Sequence, residues 1–117
     1  MSSRKGFAAS SRTSTEAGVS HRLIIRPLAE GDLADAAGWY ENEQSGLAAR
    51  FLNEVDRTFS TIRDRPLQFP VVRRDLRRAL LHTFPYAVYF RVSDDVVTVL
   101  AVLHQRRNPK VWRERPR

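Results

Sequence analysis

The sequence predicts an α+β fold: a helix hairpin packed on one face of a small antiparallel sheet, with elements in the order β-α-α-β-β-β. Three observations carry this reading. Apolar residues recur at a helical period from Leu33 to Ile62. From Leu76 onward that period gives way to short β-branched and aromatic runs. Gly46, Pro66 and Pro85 stand where one pattern stops and the next begins, as chain-breaking residues should.

The first element is the β-rich run from His21 to Pro27, closed by the proline. Asp32 is then expected to cap a helix that carries Leu33, Ala36, Ala37 and Tyr40 on one face. Gly46 interrupts it. Leu47, Phe51, Leu52, Val55, Phe59 and Ile62 follow with a spacing close to 3.6 residues, and Pro66 ends this second helix. Glu41, Glu43, Glu54 and Asp56 are assigned to the polar faces, so each helix covers a core from one side only.

Three strands in a meander are expected at Leu76–Phe84, Tyr86–Val92 and Val96–Leu103, with Asp94-Asp95 as a hairpin turn. Leu80, Phe84, Val88 and Phe90 are the inward candidates, with Val97, Val99, Ala101 and Leu103 alternating alongside. Trp39 and Tyr40 read as packing residues. An unpaired buried charge is costly, so Arg77, Arg78 and Arg91 are expected on the opposite sheet face or at strand ends, which makes that face basic.

Composition narrows the function classes. The 117 residues leave room for one domain, and a hydrophobic fraction of 42% suffices for one core. Residues 1–20 are Ser-, Thr- and Ala-rich without apolar period and are expected to form a disordered tail; residues 21–113 form the domain and 114–117 a basic tail. The absence of cysteine excludes a disulfide framework, a thiolate nucleophile and a Cys-based zinc site. His21, His82 and His104 are too few and too scattered for a His-only metal site. No metal and no cofactor are expected. No glycine follows Gly46, which excludes a Gly-rich phosphate loop in the C-terminal half. No apolar run approaches the ~18 residues of a membrane span, so a cytoplasmic protein without membrane contact is expected.

The net charge of +7 is unevenly placed. Residues 1–22 hold +3, residues 23–72 hold −3, and residues 73–117 hold +7. Such asymmetry points to an anionic partner, either nucleic acid or an acidic protein segment. The candidate anion-binding residues are Arg73, Arg74, Arg77, Arg78, Arg91, Lys110 and Arg113.

Several short motifs follow one another along the chain: Asp32-Leu33, Trp39-Tyr40, Gly46-Leu47, Arg50-Phe51-Leu52, Ile62, Pro66, Phe69-Pro70 and Arg77-Arg78-Ala79-Leu80-Leu81. Phe84-Pro85-Tyr86-Ala87-Val88-Tyr89-Phe90-Arg91-Val92 and Ala101-Val102-Leu103-His104 continue the series, which ends at Arg107-Asn108-Pro109 and Trp112. In these motifs and in element order the sequence resembles the RelE/ParE toxins of type II toxin–antitoxin modules, over roughly residues 21–113. The resemblance implies a RelE/ParE-like fold and a toxin silenced by a small cognate antitoxin. It also implies antitoxin contact for the arginine cluster and a bacterial target, either DNA gyrase for ParE-like members or ribosome-bound mRNA for RelE-like ones.

The two targets need different chemistry. Metal-free RNA cleavage requires a base for the 2′-hydroxyl, cations for the phosphorane charge and an acid for the leaving oxygen. If the chain is a nuclease, His104, Arg106 and Arg107 are its catalytic candidates. Arg106 and Trp112 stand at the spacing at which RelE-like nucleases carry an Arg and a Tyr, but an indole is no phenolic proton donor. Ala87 stands where those nucleases carry an Arg after the Tyr of the third strand. These departures favour ParE-like inhibition of gyrase. A RelE-type endoribonuclease and a non-toxic basic nucleic-acid-binding module are the alternatives.

Overall fold

The computed structural model describes residues 21–106. In chain order these form β1 (Arg22–Ile25), α1 (Pro27–Glu43), α2 (Leu47–Asp64), a 3-10 turn (Pro66–Gln68), β2 (Val71–Arg73), β3 (Leu76–Leu80), β4 (Tyr86–Ser93) and β5 (Val96–His104). The five strands make one sheet in the order β1-β5-β4-β3-β2. β1 runs parallel to β5 and every other pairing is antiparallel. The expected hairpin on a small sheet is therefore present, with one strand more. At three residues, β2 is too short to show a period. The tails expected at 1–20 and 114–117 lie outside the described residues.

α1 starts five residues earlier than the expected Asp32 cap. Pro27 occupies the first helical turn behind Arg26, where its fixed φ suits a helix and its missing N–H leaves no bond unmade. Asp32 thus lies inside the helix, and its carboxylate accepts the N–H of Val102 at 2.9 Å. Ala29, Leu33, Ala36 and Tyr40 form the buried stripe, three or four residues apart as one helix face requires.

Gly46 has φ +89 and precedes α2, a left-handed conformation that glycine adopts without the steric cost of a Cβ. Its own side chain cannot cap, so Glu41 does so from the preceding helix. That carboxylate accepts the N–H groups of Gly46 and Ala48 at 3.1 Å, placing negative charge at the positive end of α2. Phe51, Val55, Phe59 and Ile62 are buried as the period predicts, with Leu47 and Leu52 packed at the margin.

Glu54 does not belong to the polar face. It is 5% exposed, and its carboxylate accepts the backbone N–H groups of His82 and Thr83 in the β3–β4 loop. Burial pushes its pKa up, but the hydrogen bonds from Thr83 and His82 outweigh this and hold it below its ordinary value.

The sheet corrects the expected alternation at three places. β3 stops at Leu80, which is 50% exposed, while Ala79 points to the core. Between Tyr89 and Phe90 the register with β5 jumps from Ala101 to Val99, leaving Leu100 as an extra residue. This bulge switches faces along β5. Val97, Val99 and Val102 face the helices, whereas Ala101 and Leu103 turn to the other side, buried there as well. Neighbours in a strand point oppositely, so Arg77 and Arg78 cannot share the one basic face expected of them.

An aromatic cluster closes one end of the core. Tyr40 lies 5.2 Å from Phe51 and 4.9 Å from Phe84, centroid to centroid, and Phe51 lies 5.3 Å from Tyr86, within the range of favourable ring pairs. Burial, then the charge of Tyr86, push the Tyr40 phenol up. No helix among the described residues is long and apolar enough to cross a membrane.

Candidate functional site

Two surface regions carry the candidate residues, and they lie on opposite sides of the sheet. The first is the β2–β3 ribbon and the face away from the helices. Arg73 ends β2, and Arg74 occupies the turn with φ +53; both are exposed. Arg78 and Tyr89 are cross-strand partners, and Ala101 follows Tyr89 on β5. Arg91 lies two residues beyond Tyr89 on the same face, opposite Thr98. Arg78 is half-buried, and its Nε has no hydrogen-bond partner.

Arg77 belongs elsewhere. It pairs with Phe90, a core residue, and so projects to the helix side at the sheet margin. There its guanidinium donates to the carbonyls of Phe69 at 2.6 Å and Leu67 at 3.4 Å. These bonds hold the connector after α2 against the sheet. Of the expected arginine cluster, the structure brings Arg78 and Arg91 together and sets Arg77 apart. Lys110 and Arg113 lie outside the described residues.

The second region is a groove of about 680 Å³ at the aromatic end of the core, lined by Asp35, Trp39, Tyr40, Pro85, Tyr86 and His104. Asp32, Asp35 and Trp39 stand three and four residues apart on α1 and so share one side of it. Contrary to the packing role expected of it, Trp39 is 58% exposed, with its ring edge-on to Tyr40 at 5.1 Å. The Tyr40 ring is buried, as expected. His104 opposes Tyr86 across β4 and β5, with ring centroids 5.3 Å apart. Its Nδ1 accepts the backbone N–H of the exposed Arg106 at 3.1 Å, which assigns the neutral ring's proton to Nε2.

His104 shares the side of core residue Tyr86, while Arg78 and Arg91 lie on the reverse face, and Ala87 between them is fully buried. The base candidate and the arginines of the sheet therefore cannot meet on one phosphate. Arg106 adjoins His104; Arg107 and Trp112 lie outside the described residues. No group of three or more His, Asp and Glu among the described residues is placed to hold a metal ion.

Sequence reasoning missed three acidic residues: Asp35 in the groove, Asp32 bonded to Val102, and Glu54 under the β3–β4 loop. Glu54 and Asp32 were read as a polar-face residue and a cap, and Asp35 was not singled out. The only prior signal for them was acidic residues beside apolar helix stripes, which any solvated helix also shows.

A helix hairpin packed on a mostly antiparallel five-stranded sheet is a fold also found in chains of toxin–antitoxin systems. It superposes on a chain of the chromosomal ParDE TA system from P. aeruginosa with a TM-score of 0.66 at 17% identity, covering 73% of this chain and 96% of that one. It superposes on a chain of the toxin-antitoxin complex RelBE2 from Mycobacterium tuberculosis with a TM-score of 0.55 at 22% identity, covering 74% and 99%. Toxin ParE2 of Mycobacterium tuberculosis is 29% identical over 92 residues, 78% of this chain and 88% of the relative. Residues 23–109 match the family model described as ParE toxin of type II toxin–antitoxin system, parDE. The chain belongs to that family.

Proposed function

We propose that this type II toxin is held silent by a small cognate antitoxin and acts in the cytoplasm by ParE-like inhibition of DNA gyrase. The observation that supports the choice of target is Ala87, fully buried within the sheet at the position where the RelE-like nucleases carry an arginine, which leaves His104 with the adjoining Arg106 but without that second cation. Acid–base cleavage of RNA needs its proton-transfer group and its phosphate-binding cations around one phosphate. A protein-binding inhibitor has no such requirement. The reverse face, with Arg78 and Arg91 among apolar residues, is the surface we assign to an acidic partner segment.

Induction of the gene tests the target directly. Loss of DNA supercoiling without new transcript ends is the expected result. Discrete transcript cleavage that disappears in His104→Ala would establish the RelE-type nuclease instead.

A further inference from the structure

We infer that the chain's own C-terminal segment, residues 107–117, folds back over the reverse face of the sheet and seats the Trp112 indole on Ala87, Ala101 and Leu103. Seated so, Trp112 closes the β5 half of that face and leaves the half around Leu80 and Arg78 to a partner. The inference goes beyond the toxin reading and does not depend on it.

A contrast in burial carries it. Leu80, Ala87 and Leu103 form one row across β3, β4 and β5, and none of the three belongs to the core cluster under the helices. The two leucines flank the same alanine, yet Leu80 is 50% exposed and Leu103 only 3%. Sheet neighbours predict the opposite. Two residues before Leu80, on its own face, stands Arg78, whereas two residues before Leu103 stands Ala101, which ends at Cβ and is itself buried. β1 lies beside β5 only from Val96 to Val99, so it offers Leu103 no further strand. Gln105, next on that face, is exposed, with its side-chain amide donating to Tyr86 O. A covering group therefore lies over Ala87, Ala101 and Leu103 and stops short of Leu80.

The segment that follows β5 fits this cover. Arg106 is the last described residue, three positions beyond Leu103, and residues 107–117 lie outside the described residues. Asn108-Pro109 is a turn-forming dipeptide, and a reversal there sends the chain back towards the sheet. From Arg106 to Trp112 an extended chain spans about 20 Å, ample for the return. Val111 and Trp112 are the large apolar residues of the segment; as neighbours they point oppositely in an extended chain. An indole, which buries about 150–250 Å², is the one wide enough for three side chains. The seat suits it, because Ala87 stands opposite Leu103 and Ala101 opposite Tyr89, small residues alternating with large ones. Residues 1–20 join at the far end of the sheet, where Arg22 N–H donates to Asp95 O in the β4–β5 turn. Val96, which follows that turn, is about 23 Å along β5 from Leu103.

Two measurements test the seat. In the unaltered full chain, nuclear Overhauser contacts are expected between the Trp112 indole and the methyl groups of Ala87, Ala101 and Leu103. Trp39→Phe, a change at an exposed position, leaves Trp112 as the sole tryptophan. Its emission is expected to be blue-shifted from that of a free peptide of residues 107–117, and several-fold less quenched by acrylamide. Trp112→Ala is expected to open the Leu103 methyls to a soluble paramagnetic probe, and Phe7→Ala to leave them shielded. Absence of the indole–methyl contacts in the unaltered chain would overturn the inference whatever the variants do, as would peptide-like emission of Trp112. Loss of shielding in Phe7→Ala with none in Trp112→Ala would assign the cover to the N-terminal segment. Contacts present only in a dimer by sedimentation would assign it to a second copy; either result also overturns the inference.

Discussion

Asp32 Oδ2 accepts the backbone N–H of Val102 at 2.9 Å, joining residues 70 positions apart at the point where β1 has stopped covering β5. A carboxylate from α1 thereby stands in for a strand partner. A hydrogen bond to a charged group contributes about 1.5–3 kcal/mol. Asp32→Ala should lower stability by that amount in urea unfolding and speed amide exchange at Val102, whereas Asp32→Asn, which keeps an acceptor oxygen, should lose less. An unchanged midpoint in Asp32→Ala would show the contact to be idle.

Glu54 makes stability depend on acid pH. Its folded pKa lies below the ordinary 4.5, so the stability it contributes is present above that value. It is lost as pH falls through the lower, folded pKa. Glu54→Gln should be less stable than the unaltered chain at neutral pH, and the difference should shrink below about pH 4 as the carboxylate is protonated. Glu54→Ala would leave the His82 and Thr83 N–H groups without their acceptor, at about 1–3 kcal/mol each. Thermal melts across pH 3–7 check both statements.

Arg74 turns the β2–β3 ribbon with φ +53, a conformation that costs a side-chain-bearing residue about 1–2 kcal/mol. Arg74→Gly should therefore raise stability by about 1 kcal/mol, or a few degrees in Tm for a domain of this size. Asp94, at φ +55 in the β4–β5 turn, is of a residue type that tolerates this region better, so Asp94→Gly should gain less. Equal gains at the two turns would show that residue type does not set the strain.

How far such contacts can be read beforehand depends on their range. The α2 stripe of Phe51, Val55, Phe59 and Ile62 was legible because helical period and burial are both local consequences of spacing. The meander was legible from its β-branched runs and its Asp94-Asp95 turn. Asp32 was not, because its role depends on β1 ending opposite Val99, a fact of strand pairing. The bulge at Leu100 was likewise invisible. It changes which of Val102 and Leu103 faces the helices, yet apolar residues stand at both positions. Of the candidate sites, the arginines were visible as charge, but their division between two faces depends on the register of β3 with β4.

That division yields the sharpest test of the reverse face. Arg77 and Arg78 are adjacent and chemically identical, yet one ties down the connector at Phe69 and Leu67 while the other faces outward beside Tyr89. Arg77→Ala should destabilise the fold by about 1–3 kcal/mol, because hydrogen bonds from a charged donor to two carbonyls are lost. Association with an antitoxin should be little changed at temperatures where the variant is folded. Arg78→Glu should cost less stability than Arg77→Ala, because the buried Nε of Arg78 has no hydrogen-bond partner to lose. It should slow association with an acidic antitoxin and flatten the salt dependence of the on-rate, because charge on a docking face acts mainly through steering. Stopped-flow association at two ionic strengths, beside thermal melts of both variants, separates the roles. If Arg77→Ala impairs association as much as Arg78→Glu does, both arginines meet the partner; if neither does, the antitoxin does not use the reverse face.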